Sequence, residues 1–178
     1  IIGITGAVAC GKSTLGKVFL GECPYDGKII YRGKDLQAFK DAERSENIGY
    51  LGHDPELFND SLKNNVRMGD VVSVEPYFRA VCIDEEIDEM PGGKETLVGA
   101  GGVRLSGGQA QRLALARTLY HKRPVMILDD PFSALDINTE KKIFAHLRQM
   151  TVDSIVLLIS HRLYLFPEMD QVIWMEDG

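Results

Sequence analysis

The chain has 178 residues, 44% of them hydrophobic and 26% charged, which suits one well-packed α/β domain. Its net charge of −6 at pH 7, with no long basic run, argues against free nucleic acid as a main partner, because binding a phosphate backbone needs clustered Lys and Arg. The longest strongly apolar stretch, Ile155 to Ile159, is far too short to cross a bilayer, so any link to a membrane must come through a partner or a further part of the chain. Cys10, Cys23 and Cys82 show neither metal-ligand spacing nor a disulfide frame, and a reducing, cytosolic setting is expected. Ile1-Ile2 carries no charged leader, so no signal peptide is expected. The chain does not begin with Met and reads as a piece of a longer protein.

In chain order, Ile1 to Ile4 reads as a buried strand and Gly11 to Phe19 as a helix. Lys28 to Tyr31 alternates like a short strand before a turn at Gly33, and Ile48 to Leu51 is another short strand. From 60 to 90, Asn, Asp and Glu mix with Val74, Phe78, Ala80 and Val81 at helical spacing, which predicts a small helical insert. Pro91-Gly92-Gly93 breaks it, and Gly99, Gly101 and Gly102 make a second, flexible stretch. A helix is expected from about Ser106 to Tyr120, with Leu113, Ala116, Leu119 and Tyr120 on one side. Val125 to Leu128 is a fully buried strand by its unbroken apolar run. Asn138 to Met150 is expected to be helical, with Ile143, Phe144 and Leu147 inward, and Ile155 to Ile159 and Val172 to Met175 are the last strands. Strands alternating with helices imply a mostly parallel sheet covered on both faces.

Gly6-Ala7-Val8-Ala9-Cys10-Gly11-Lys12-Ser13 fits G-x-x-x-x-G-K-[ST] at every fixed position, between a strand and a helix as that motif requires. Backbone N–H groups of such a loop wrap phosphates, and the helix N-terminus adds positive field. Lys12 would reach the β- and γ-phosphates, the Ser13 hydroxyl would coordinate Mg²⁺, and Thr14 would lie by the α-phosphate. Ala9 and Cys10 read as small residues that fit the loop, with a redox role for Cys10 as the alternative. Val125 to Asp130 is an apolar strand ending in two acids: Asp129 is placed to hold Mg²⁺ and Asp130 to orient the attacking water, although alone such a pair is equally a strand end with solvated carboxylates. Between loop and acids lies Leu105-Ser106-Gly107-Gly108-Gln109. There Ser106 caps a helix, the glycines allow close backbone approach, and the helix dipole favours an anion.

Together these segments resemble the nucleotide-binding domain of ABC transporter ATPases, nearly from end to end. Gly6 to Ser13 looks like Walker A, Val125 to Asp129 like Walker B, and Leu105 to Gln109 matches the family's signature without a change. Ser133-Ala134-Leu135-Asp136 matches the D-loop, and His161, within Leu158 to Arg162, the switch histidine. Ile48 to Phe58 looks like the Q-loop segment and Thr96 to Gly102 like the glycine-rich approach to the signature in exporters, which points to a multidrug-, lipid-exporter- or multidrug-resistance-protein-like transporter rather than a nutrient importer. The resemblance implies one α/β domain lacking its N-terminal part: a P-loop NTPase core at 1–58 and 104–178, with a mostly parallel sheet flanked by helices, and a small helical subdomain at 59–103. It implies ATP and Mg²⁺, with Gly6, Ala7, Val8, Ala9, Cys10, Gly11, Lys12, Ser13 and Thr14 around the nucleotide, Ser13, Asp129 and His53 at the metal, and Lys12, Asp130 and His161 in catalysis. Two such domains would pack head to tail around ATP, so that Ser106, Gly107, Gly108 and Gln109 meet the γ-phosphate held by the other one. The implied partners are that second nucleotide-binding domain and a transmembrane domain, which would keep the chain at the cytoplasmic face of a membrane.

Three residues depart from the family pattern. His53 stands where the family usually has a Gln that senses Mg²⁺ and couples to the membrane domain, with a tolerated, solvent-facing replacement as the alternative reading. Asp130 stands where most active members have Glu; the lost methylene pulls the carboxylate back, and a misplacement near 1 Å costs on the order of a hundredfold in rate. Ala9 replaces a frequent Gly and narrows the loop's conformations slightly. The first two suggest a slow site that still binds ATP, paired with a competent one. An aromatic residue that stacks on adenine in the family would lie upstream of Ile1.

Competing readings are a soluble ABC ATPase of DNA repair or translation and a regulatory nucleotide-binding module with little hydrolysis. DNA-repair members insert long coiled coils between Walker A and the signature, where this chain has only about ninety residues and no heptads. Elsewhere, His121 and His146 are expected to be solvated and Trp174 to be packed. Asp84, Glu85, Glu86, Asp88 and Glu89 are expected to form an exposed helix face, with a contact to the membrane domain as the alternative.

Overall fold

The computed structural model describes residues 1–99 and 102–176, so Gly101 of the expected flexible stretch lies outside the described residues. The chain falls into two compact units.

The first unit takes in residues 1–50, 123–130 and the segment from Asp153 onward. Its strands are β1 (Ile2–Gly6), β2 (Ile30–Tyr31), β3 (Lys34–Asp35), β4 (Ile48–Leu51), β5 (Val125–Asp129), β6 (Ile155–Ile159) and β7 (Gln171–Met175). Five of them form one sheet in the order β4-β5-β6-β1-β7, with β6 parallel to both β5 and β1, and β1 parallel to β7. Ile159 pairs with Ile4 on one side and Asp129 on the other, so β5 and β6 end level with one another and β1 runs two residues further, to Gly6. The segments that follow them therefore emerge along one edge, where α/β sheets place their ligands. The core beneath is built from Ile4, Ile48, Val125, Ile127, Leu157 and Ile159. β5 is buried along its whole length, as its unbroken apolar run requires of a strand covered on both faces.

Strands β2 and β3 form a hairpin whose turn places Arg32 and Gly33 at φ 49° and 79°, the left-handed pair that tight hairpins use. Helix α1 (Lys12–Leu20) follows β1, and α2 (Asp41–Asn47) precedes β4. β7 corrects one expectation. Trp174 is 64% exposed and Val172 and Ile173 are exposed beside it, because β7 is the edge strand of the sheet and nothing among the described residues covers it.

The second unit, residues 51–122 and 131–152, is helical: α3 (Leu62–Arg67), α4 (Glu75–Ala80), α5 (Asp84–Asp88), α6 (Gly107–Tyr120) and α7 (Ile137–Met150). Helix α6 is buried at every position from Gln111 to Arg112 through Ala116, rather than along one stripe, and α3 and α4 both pack against it. Ile143, Phe144 and Leu147 of α7 are buried as the periodicity predicts. The two histidines expected to be solvated are half-buried instead: His121 Nε2 lies 3.0 Å from the Val66 carbonyl and His146 Nδ1 lies 2.9 Å from that of Ala80. Gly99 and Gly102 sit where the backbone is tight, since a Cβ would lie 1.9 Å from Asn59 Oδ1 and 2.4 Å from the Leu97 carbonyl oxygen respectively.

Candidate functional site

The phosphate loop joins β1 to α1 in the first unit. Gly6 has φ 153°, and a Cβ there would lie 2.1 Å from the Met175 carbonyl oxygen and 2.9 Å from Cys10 Sγ, so no other residue fits. Gly11, at φ 95°, starts α1 without a side-chain cap, which leaves the first-turn N–H groups available to an anion. Lys12 is buried, and its ammonium sits inside the loop, donating to the carbonyls of Gly6 at 3.1 Å and Ala7 at 2.6 Å and lying 3.5 Å from Cys10 Sγ. Ser13 and Thr14 are exposed on the first turn, and Val8 is 87% exposed at the loop's tip. Ala9 constrains the loop more than its composition suggests. It lies at φ 65°, a left-handed conformation that costs a residue with a Cβ about 1–2 kcal/mol.

The acids follow β5 in the same unit. Asp129 is buried, and the Tyr50 hydroxyl, on β4, reaches its Oδ2 at 3.4 Å. Burial first, and then the neighbouring Asp129 charge, push the Tyr50 phenol up to about 12, so it stays protonated and can only donate to the carboxylate. Tyr50 packs over Gly16 of α1, where an added Cβ would lie 3.0 Å from its ring. Asp130 is half-buried at φ 49°, with its N–H donating to the Ile159 carbonyl at 2.9 Å. Beyond β6, Ser160 is fully buried and its N–H donates to Ile4 at 3.0 Å, while its hydroxyl accepts from the Arg162 N–H at 3.0 Å. This small turn presents His161 exposed at the same sheet edge.

The signature turn belongs to the second unit. Ser106 is the N-cap of α6: its Oγ accepts from Gln109 N at 3.2 Å, and Gln109 Oε1 accepts from Ser106 N at 2.9 Å, a closed capping box. Ser106 and Gly107 are exposed, and a Cβ on Gly107 would meet only open space. Gly108 is tighter, its imagined Cβ 3.0 Å from the carbonyl oxygen of Ala134 in the Ser133–Asp136 segment. Asp136 in turn caps α7 by accepting from Asn138 N and Thr139 N. The acidic cluster on α5 is not uniformly exposed. Glu86 turns to the signature, accepting from Gln109 Nε2 at 2.9 Å and pairing with Arg112 at 2.6 Å. Burial works against its charge, but these two donors outweigh it and hold the carboxyl below its usual range.

His53 is exposed and lines a surface cleft of about 470 Å³ with Asp54, Glu56, Gly107, Gln111 and Ser133, all within the second unit, whereas Ser13 and Asp129 belong to the first. The segment that carries His53 is pinned by Arg117, which donates to the Glu56 carbonyl at 2.9 Å, to the Asn65 carbonyl at 2.6 Å and to Asn65 Oδ1 at 2.9 Å, and stacks on the Phe58 ring. Asn65, itself fully buried, bonds both the N–H and the carbonyl of Phe58. Tyr50, Glu86, Asn65 and Arg117 are supporting residues that the motifs do not single out. Tyr50 lies inside the Ile48–Phe58 segment and Glu86 inside the acidic run, but nothing in either segment marks these residues for the contacts they make.

Residues 1–133 match the family model described as ABC transporter. The chain is similar to the glutathione/L-cysteine transport system ATP-binding/permease protein CydC of Bacillus subtilis (strain 168), with 38% identity over 182 residues, covering 99% of this chain and 32% of that protein. It is similar to the mitochondrial iron-sulfur clusters transporter ATM1 of Yarrowia lipolytica (37% over 180 residues; 98% of this chain, 25% of that one). It is also similar to the ATP-dependent lipid A-core flippase of Cupriavidus metallidurans (34% over 188 residues; 100% and 31%). The solved structure of a bacterial Atm1-family ABC exporter with ATP bound shares the fold with a TM-score of 0.92 at 32% identity, over 99% of this chain and 32% of that one. The chain thus spans about a third or less of the length of these curated relatives.

Proposed function

Because this chain belongs to the ABC transporter family, we propose that it is the ATP-binding and ATP-hydrolysing motor domain of an exporter, acting with a second nucleotide-binding domain and with a transmembrane domain that holds it at the cytoplasmic face of a membrane. The observation that supports this reading is that one chain carries a glycine-cradled loop closed around Lys12 and a capped, exposed turn at Ser106-Gly107, each with a shape that suits an anion. A triphosphate gripped by Gly6 to Thr14 of one domain would present its γ-phosphate to Ser106, Gly107, Gly108 and Gln109 of the other.

Lys12 would exchange its carbonyl partners for the β- and γ-phosphate oxygens. Ser13 and Asp129 would hold Mg²⁺, with His53 as a third group; the ion supplies neutralisation of the phosphate charge. Among the described residues no three His, Cys, Asp or Glu side chains cluster as a ready metal cage. The Ser13 hydroxyl and the Asp129 carboxylate fit an ion that takes one or two protein oxygens and completes its shell with phosphate and water. Asp130 would accept the proton of the attacking water and His161 would contact the γ-phosphate. The short Asp130 side chain makes this a slow site. The relatives named above are transporters and a flippase, and none points to DNA repair or translation.

The test is ATP-driven association of the intact protein carrying Asp130→Asn, followed by light scattering. ATP with Mg²⁺ should produce a dimer, and Lys12→Ala and Ser106→Arg should each abolish it. Tight ATP binding without association would overturn the shared-site reading.

A further inference from the structure

We propose that Glu86, on α5 of the helical insert, is a positioning residue that sets the orientation of Gln109 and thereby the anion-binding geometry of the Ser106–Gly108 turn. The inference rests on the role proposed above for that turn. Both oxygens of Glu86 are committed to it: Oε2 accepts from Gln109 Nε2 at 2.9 Å and Oε1 from Arg112 Nη1 at 2.6 Å. The far ends of both side chains hold the turn's backbone. Gln109 Oε1 accepts from Ser106 N at 2.9 Å, and Arg112 Nε donates to the Gly108 carbonyl at 3.3 Å. A third Arg112 bond, to the Cys82 carbonyl at 2.5 Å, anchors the guanidinium just ahead of α5.

The chemistry of a carboxylate gives this arrangement its direction. A glutamine amide has a donor end and an acceptor end that differ little in shape; only the acceptor end can bond the Ser106 N–H, and within the turn itself nothing holds the donor end in place. An ionised carboxylate only accepts, so Glu86 draws Nε2 to itself and turns Oε1 onto the Ser106 N–H. Ser106 Oγ already accepts from Gln109 N at 3.2 Å, which leaves its own proton for an outside oxygen. Arg112 offsets the charge of Glu86, so the turn keeps the positive field of its helix N-terminus. A displacement of α5 against α6 would release Gln109, which makes the phosphate-reading turn responsive to the helical insert.

The experiment is hydrogen exchange resolved to single amides in the intact protein, together with the ATP concentration needed for association. Glu86→Ala should speed exchange at the Ser106 amide about five- to tenfold while leaving the amides of Leu113 to Leu119 unchanged, and should raise the ATP requirement about three- to tenfold. In a Gln109→Ala background, the same substitution should add nothing at Ser106. Glu86→Gln, which keeps shape but can offer either amide end, should give a smaller change of the same sign and serves if the alanine variant does not fold. Uniformly faster exchange along α6 would mean a merely structural role and would overturn the proposal. If Ser106→Ala leaves ATP-driven association untouched, the reading of the turn itself fails. If Ser106→Ala weakens association while both Glu86 variants match the wild type, the inference about Glu86 fails and that reading stands.

Discussion

Asp130→Glu should move activity and stability in opposite directions. The Asp130 backbone is fixed at φ 49° by the sheet edge, its N–H tied to the Ile159 carbonyl at 2.9 Å, so the carboxylate cannot advance by a backbone shift. Glutamate adds about one C–C bond, roughly 1.5 Å, of reach. A positional gain of that order is worth about ten- to a hundredfold in the rate of an otherwise competent site. The same φ opposes the change. Asp tolerates the left-handed region through its short polar side chain, whereas longer residues lose about 1 kcal/mol there, which lowers the Tm of a domain this size by about 2–4 °C. Phosphate release at saturating ATP in the assembled transporter, ATP binding in parallel, and thermal unfolding read the three quantities. Turnover should rise, affinity should hold, and Tm should fall. Unchanged turnover with unchanged affinity would refute the claim that carboxylate reach limits hydrolysis, and an unchanged Tm would refute the strain assigned to the backbone.

Tyr50→Phe removes the donor that faces Asp129 Oδ2 and should raise the Mg²⁺ concentration needed for half-maximal nucleotide binding about two- to fivefold, with stability changed by less than about 1 kcal/mol; an unshifted Mg²⁺ titration would remove Tyr50 from the metal's surroundings. Glu75 is held down to about 2, chiefly by its bond from Lys94 and then from Ser73. Its folded value lies below its ordinary one, so its stabilisation is complete above 4.5 and is lost as pH falls toward about 2. Glu75→Gln should therefore lower stability slightly at pH 7, the pair being exposed, and the gap to the wild type should narrow in urea titrations taken from pH 5 down to pH 3. A gap that widens with acid would contradict the assignment.

What could be read from the sequence follows from what each residue must satisfy. β4 and β6 begin and end where expected, and β5 runs one residue further to take in Asp129; the signal is plainest in β5, where a strand covered on both faces needs apolar residues up to its final acid. Helix α2 left no trace because it buries no residue and so carries no apolar period. Trp174 was misjudged because size suggests packing, while the side chain's surroundings depend on which strand lies at the sheet edge. The turn between β1 and α1 and the capped start of α6 were legible because their glycines and hydroxyls are fixed by local chemistry. Their supports were not. Tyr50 reaches Asp129 across 79 residues, Arg117 reaches Glu56 across 61, and Gln109 reaches Glu86 across 23, and no local spacing encodes such meetings.

Backbone conformation adds a constraint that composition hides. Five non-glycine residues among those described have positive φ: Ala9, Arg32, Met68, Cys82 and Asp130. Arg32 turns a hairpin, Met68 ends α3 and Cys82 follows α4, so local connections account for three of them. Ala9 and Asp130 instead sit in the loop after β1 and at the end of β5, the two segments proposed to hold the triphosphate and the water. Strain of this kind persists only where neighbours over-determine the backbone. Here the neighbours are specific: the Met175 carbonyl and Cys10 Sγ close the space at Gly6, and Lys12 holds the carbonyls of Gly6 and Ala7. The contacts at Gly6 stay in place when Lys12 exchanges its carbonyls for phosphate oxygens, so a phosphate entering the loop would find part of its curvature already fixed and would lose less binding free energy to ordering the backbone.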